Sequence, residues 1–337
     1  VHAMLLGFVM AAVAGFLLTA IANWNGRPPV SGTRLAMLAA LWLVGRLACS
    51  ISADLPAWIA VAADLAFPAA LLAVAAHEII AGKNWRNIVV MGPLSLFLIA
   101  NLLMHLESLG WAVPSGLGWR LAVAAPILLI SVIGGRIIPI FTRNWLSRRD
   151  SLRLPLPPNR FDTAAIVLLA IALLLWAFFP DRAVTGVLLV AAAILHAIRL
   201  SRWTGLPTRS EPLLFILHVG YFWVVLGLLL LGLSAFDIGV PAPSAIHALT
   251  AGAIAVMILA VMPRVTLGHT GRNLTASRAT IVAFLLINAA ALARVCASWH
   301  PALMTQLLLI AGLCWIAAFA IFEFVYGPML LTRRVGS

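Results

Sequence analysis

The sequence predicts an all-α, polytopic membrane protein, and three observations carry that reading. Hydrophobic residues make up 64% of the 337 and charged residues only 9%, against about 25% charged in a soluble domain. Apolar runs long enough to cross a bilayer as helices recur along the whole chain. The short alternating segments of a transmembrane β-barrel are not seen.

Eleven spans follow, within one transmembrane domain over 1–337. The first, 2–22, closes at Asn25-Gly26-Arg27-Pro28-Pro29, a turn signal. The second is 33–52. The third, 56–80, carries Asp64 and ends near His77-Glu78. The fourth, 84–105, holds Asn101 and ends on His105. The fifth, 117–140, contains Gly134-Gly135-Arg136 and Pro139, which predict a break. The longest gap, 141–160, is rich in Arg and Pro, and no gap can hold a soluble domain. The sixth (161–179), seventh (183–203) and eighth (211–234) bring His196 with Arg199, then His218 with Tyr221. The ninth, tenth and eleventh are 244–264, 277–298 and 301–326.

The net charge of +12 does not point to nucleic acid, because the basic residues lie in the gaps between apolar runs and not in a patch. Sorted by gap they alternate. Arg46, Arg120, Arg182 and Arg294 fall on one side, and the remaining 18 of 22, to Arg333 and Arg334 at the end, on the other. Basic loops stay cytoplasmic, so the N-terminus is expected outside and the C-terminus inside. No cleavable signal peptide is visible. The chain opens on Val, and one further helix before it would place both ends inside. Cys49, Cys296 and Cys314 lack metal-type spacing and read as small buried hydrophobes.

A repeat links two histidines. His2-Ala3 is followed by Gly7 and His247-Ala248 by Gly252. Gly26-Arg27 and Gly271-Arg272 lie 24 and 25 residues after their histidines, 245 residues apart. Both segments run from outside to inside, which puts the imidazoles at one depth. Such a pair could ligate one haem iron from opposite sides. Arg46, Arg120 and Arg294 are the outer-side arginines available to haem propionates. Arg46 and Arg294 lie within apolar runs, where a charge needs a partner; Asp64 is one for Arg46.

Other polar residues read more weakly. His218 and Tyr221, three apart, share a helix face and suit either a metal ligand with a redox tyrosine or a packing pair. Imidazole suits copper, with Met257 or Met262 as thioether donors or as plain helix lining. His196 and Arg199 read as helix-end capping, and His105 as a second-shell or access residue. Asn101 and Asn288 are expected to bind neighbouring helices. Phosphate loops, paired-cysteine metal sites and nucleophile elbows are absent from the sequence.

"RVTLGHTGR" (264–272), residues 2–32, "GGRIIPIFTRNWL" (134–146), "LHAIRLSRW" (195–203) and "LHVGYFWVVLGLLLLGL" (217–233) together resemble the NnrS family. These are bacterial membrane proteins of the nitric oxide response, described as containing haem and copper. The resemblance covers essentially the whole chain and implies a twelve-span fold, of which the first span is not seen here. The family's first block usually reads His-Ala-His-Glu-Met; His2 matches its second histidine, and Ala3 stands where glutamate is expected. The resemblance implies a haem- and copper-binding protein of nitrosative stress and denitrification. The bilayer, nitric oxide and an electron donor are its expected partners. The residues select His2 and His247, with Arg46 and Arg294, for the haem, and His218 as a further metal ligand. A saturated bis-histidine haem favours electron transfer or sensing, whereas an open copper site favours turnover, and the sequence leaves both open. The rival reading is a secondary transporter using Asp64, Arg46, Arg136 and His218; a third is a structural subunit holding a partner's cofactor.

Overall fold

A computed structural model of the chain describes residues 1–332 and 334; Arg333, counted above among the basic residues, lies outside these. Every regular element among the described residues is helical, and eleven helices are long and apolar enough to span a membrane. We number them α1 (Ala3–Asn25), α2 (Gly32–Ser50), α3 (Ala57–Ala81), α4 (Trp85–Ser108), α5 (Leu117–Ser147), α6 (Arg160–Phe178), α7 (Ala183–Ser201), α8 (Pro212–Ser234), α9 (Ala242–His269), α10 (Arg278–Ala297) and α11 (Pro301–Leu330).

The helices form two compact units, Val1–Leu129 and Ile130–Ser337, with the division inside α5. In the first, α2 packs on α3, α3 on α1 and α4, and α4 on the opening of α5. Leu71, Val90, Phe97 and Ala100 are its sealed interior. In the second, sequence neighbours pair as α6 with α7, α7 with α8, α8 with α9 and α10 with α11. Outward faces stay apolar, as with Leu43, Val44 and Leu47 on α2 or Leu309, Leu313 and Ile316 on α11. In water such rows would be an aggregation hazard; in a bilayer they are the solvated face.

Two boundaries differ from the sequence reading. The fifth span does not break at Gly134-Gly135: α5 is one helix of 31 residues. It absorbs Pro126 and Pro139 and loosens instead into a π-turn over Ile130–Gly134. A proline removes one amide donor and crowds the carbonyl four residues back. For Pro139 that residue is Gly135, which has no Cβ to add to the crowding. The ninth span likewise continues through Pro263 to His269, so most of the "RVTLGHTGR" exit is helical.

Wider turns also open α1 and α9. Seven-residue π-helices, Ala3–Val9 and Ala248–Ile254, follow His2 and His247 directly. The sequence repeat is therefore also a repeat of backbone irregularity, of a kind that is rare and frequent at functional sites.

At the start of α6, Asn159 accepts from the Phe161 amide and Asp162 accepts from the Asn159 amide, both at 3.0 Å. Asn159→Ala removes the side-chain half of this cap and is expected to cost about 1 kcal/mol, read as an earlier thermal midpoint in detergent. An unchanged midpoint would count against the cap.

Candidate metal centre

The first unit buries one carboxylate in its apolar interior, and the site grows from it. Asp64 lies on α3 with a fully buried side chain. A carboxylate inside a membrane bundle must be compensated. Arg46 of α2 does this by an ion pair to Oδ1. The approach depends on Gly45: a Cβ there would lie 3.1 Å from the Ala63 carbonyl and the Asp64 Cα, so α2 and α3 come together where a side chain is missing. Gly7 plays the same part in α1, since a Cβ there would lie 3.1 Å from the Arg46 guanidinium. The Gly7 carbonyl accepts from Trp42 Nε1 at 3.1 Å.

The other carboxylate oxygen faces two histidines. His105 Nε2 lies 3.0 Å and His2 Nε2 3.1 Å from Asp64 Oδ2. His2 Nε2 also lies 2.9 Å from Asn101 Oδ1, and the two rings stand edge to face with centroids 5.1 Å apart. Asn101 and His105 are four apart on α4, and Arg46 and Cys49 three apart on α2, so each pair shares a helix face. Cys49 completes the group: one donor atom from each of His2, Cys49, Asp64 and His105 lies within 4.8 Å of all the others.

The chemistry of this set is legible. An imidazole nitrogen that carries its proton donates to the carboxylate; without the proton it presents a lone pair. Two imidazoles, a thiol and a carboxylate suit a d-block ion, the sulfur favouring Cu(I) or zinc and the nitrogens accepting copper, zinc or iron. Two donors, Arg46 Nε and Asn101 Nδ2, are buried without a hydrogen-bond acceptor. Buried polar groups are normally satisfied, so there is capacity here for one more acceptor. A porphyrin fits His2 less well. A haem iron needs a flat, apolar clearing in front of Nε2, and that nitrogen is faced by Asn101 and Asp64.

The remaining candidates lie in the second unit. His247 is half-buried at the head of its π-helix. Ser244 Oγ, in the preceding turn, donates to the Val295 carbonyl at 2.9 Å and ties the start of α9 to the end of α10. His218 is buried in α8. Its Nε2 lies 2.9 Å from Thr142 Oγ1, and its Nδ1 has no hydrogen-bond partner and faces Gly205.

Tyr221 does not pair with His218. Its hydroxyl meets His196 of α7 at 2.6 Å, and the Trp203 ring packs edge to face against both Tyr221 and His218. His196 and Arg199 are not solvated caps either. Both are almost wholly buried, Arg199 bonding Asp162 and Tyr221. Asn288 does bind a neighbouring helix, accepting from Trp223 Nε1 at 2.9 Å. Of the arginines considered for propionates, Arg120 donates to the Ser115 carbonyl at 2.9 Å.

Sequence reasoning singled out His2, Arg46 and Asp64 and missed that Cys49 and His105 join them in one group. The available signal was that both lie one helical turn from another selected residue.

The model of the family described as NnrS protein matches residues 1–334. No curated protein and no solved structure matches the chain. With a match over essentially its whole length, this chain belongs to the NnrS family.

Proposed function

We propose that the chain is a haem- and copper-binding protein of the bacterial inner membrane that acts in the response to nitric oxide and nitrosative stress, in the setting of denitrification. In this reading it works as one transmembrane domain, with its first residue outside and its last inside, and takes electrons from a donor. The observation that carries the reading is the convergence of His2, Cys49, Asp64 and His105 in a member of the NnrS family.

His2 and His105 would hold a copper ion through Nε2, with Asp64 and Cys49 as the anionic ligands. When bound, copper supplies a one-electron couple and an affinity for small diatomic ligands, and haem iron supplies the same at a second place. Arg46 pairs with the Asp64 carboxylate and orients it inside the apolar unit, and Asn101 fixes the His2 ring. His247, with Arg294 beside it, is the candidate haem ligand, and His218 a further metal ligand.

A second reading has its own support. The seven-residue π-helices after His2 and His247 match in length and offset, which favours one role for both histidines, as the two axial ligands of one haem.

Optical spectra and metal analysis of the purified protein separate the two readings. If His2 serves the ion, His2→Ala and His105→Ala each lose copper and keep haem, and only His247→Ala loses haem. If the histidines share one haem, His2→Ala and His247→Ala both lose it. Folded protein with neither haem nor copper would sink both.

A further inference from the structure

The second unit contains a buried polar chain that the metal centre does not use. Asp162 Oδ1 accepts from Arg199 Nε at 3.0 Å. Arg199 Nη1 donates to the Ser131 carbonyl and to Tyr221 Oη, both at 2.9 Å. Tyr221 Oη lies 2.6 Å from His196 Nδ1, and His196 Nε2 lies 3.2 Å from the Ala165 carbonyl. Tyr221 and His196 are both 0% exposed.

The direction of each bond is forced. The Ala165 carbonyl can only accept, so His196 Nε2 carries the proton. Nδ1 is then the acceptor, and the Tyr221 hydroxyl donates to it. Arg199 can only donate, so the phenol oxygen accepts from it. The phenol proton thus points along a short bond at the lone pair of an imidazole nitrogen. Asp162 is the counter-charge of Arg199 and shares it with Arg202, whose Nη1 lies 3.4 Å from the other carboxylate oxygen. Trp203 presses edge to face on the phenol, with ring centroids 4.4 Å apart.

Other work for this chain of groups fits poorly. A through-going proton path would need a way out beyond His196, and its far nitrogen ends on a helix carbonyl. A phenol whose proton has a local acceptor is instead arranged to lose an electron. Oxidation of a phenol makes its proton strongly acidic, and here the proton moves along one hydrogen bond and stays in the protein.

We propose that Tyr221 and His196 form a one-electron redox pair that reduces a neutral nitrogen-oxide radical of the class of nitrogen dioxide. The step balances. Nitrogen dioxide takes one electron and becomes nitrite. Tyr221 loses that electron and becomes the neutral phenoxyl radical as its O–H bond breaks. The proton passes to His196 Nδ1, giving an imidazolium that still donates to Ala165 through Nε2. Trp203 is the ring in contact through which the electron leaves. One electron from the donor of the reading above, with the same proton returned from His196 Nδ1, restores the start. The choice of oxidant rests on the nitric oxide reading above; the geometry of the pair does not.

The chain carries its own control. It has only two tyrosines, and the other, Tyr326, is also buried but bonds the hydroxyl of Thr280 at 2.6 Å. A threonine hydroxyl is not a base, so Tyr326 has no local acceptor for its proton.

The test uses purified full-length protein in detergent, with nitrogen dioxide generated radiolytically from nitrite. The phenoxyl radical is followed by transient absorption, and by electron paramagnetic resonance after growth on ring-deuterated tyrosine. The radical is expected in the parent and in Tyr326→Phe, and absent in Tyr221→Phe. His196→Gln, which keeps a hydrogen-bond acceptor without a base, is expected to slow its formation roughly a hundredfold. No tyrosine radical in folded parent protein overturns the proposal, as does a radical that disappears with Tyr326→Phe. Because Tyr326→Phe leaves the cluster intact, the second outcome can be read even if Tyr221→Phe does not fold. Metal content of the same samples reports on the centre in the first unit, so failure of that centre is seen separately.

Discussion

Asp64→Asn is expected to be the most damaging single substitution in the first unit. The amide is nearly isosteric, so packing barely changes, but the compensating charge disappears. Arg46 is then a cation among apolar helices with no anion, and the one oxygen that the amide keeps cannot serve both the guanidinium and the two imidazoles. Removing one partner of a buried ion pair costs about 3–5 kcal/mol, and the midpoint of thermal unfolding in detergent should fall accordingly. The double variant Arg46→Leu with Asp64→Leu separates charge from fold. With both charges gone, no buried charge is left uncompensated, and such replacements are often neutral or stabilising. Most of the lost stability should return while metal binding stays abolished. A double variant no more stable than Asp64→Asn would show that the pair is needed for something other than mutual neutralisation.

That centre shows what a linear sequence can and cannot announce. The helices were legible because twenty apolar residues with charged ends admit one reading in a bilayer, and all eleven spans lie where the hydropathy put them. The ends of α5 and α9 were not, because Gly134-Gly135-Arg136 with Pro139 looks like a break and Arg264 looks like the charged end of a span, although Pro139 and Pro263 both lie inside the helices. What overrides them is the cost of leaving backbone groups unpaired in lipid, which favours continuing the helix around a proline. At the site, Asp64 and Arg46 stood out because charge is rare inside a span. Cys49 did not, since a thiol is an ordinary apolar residue until a close approach of helices brings it to two histidines. The approach is made by Gly45, whose missing Cβ is a statement about a neighbouring helix and not about its own. Tyr221 failed for a related reason. A spacing of three says that His218 and Tyr221 share a face, but the partner of the phenol comes from α7, and the register between helices is not written in either one.

Gly135→Ala is expected to have the largest effect in the second unit, and against the direction that helix propensity gives. Gly135 has ordinary helical geometry within α5, and in an exposed helix exchanging glycine for alanine gains roughly 0.5–1 kcal/mol. Here the new Cβ would fall inside van der Waals contact of the Arg199 guanidinium. The guanidinium has nowhere to retreat, held by Asp162, the Ser131 carbonyl and Tyr221. Either α5 moves away from α7 or Arg199 gives up bonds that neutralise it, and breaking a buried pair costs of order 3 kcal/mol, more than propensity returns. Gly15→Ala in α1 is the matched control, because a Cβ there meets nothing within 4 Å. It should leave the unfolding midpoint unchanged or raise it, while Gly135→Ala lowers it and, by releasing Arg199 from the phenol, alters the setting of Tyr221. Equal behaviour of the two variants would mean that Arg199 is not pinned against α5, and the forced direction of the Tyr221–His196 bond would lose one of its supports.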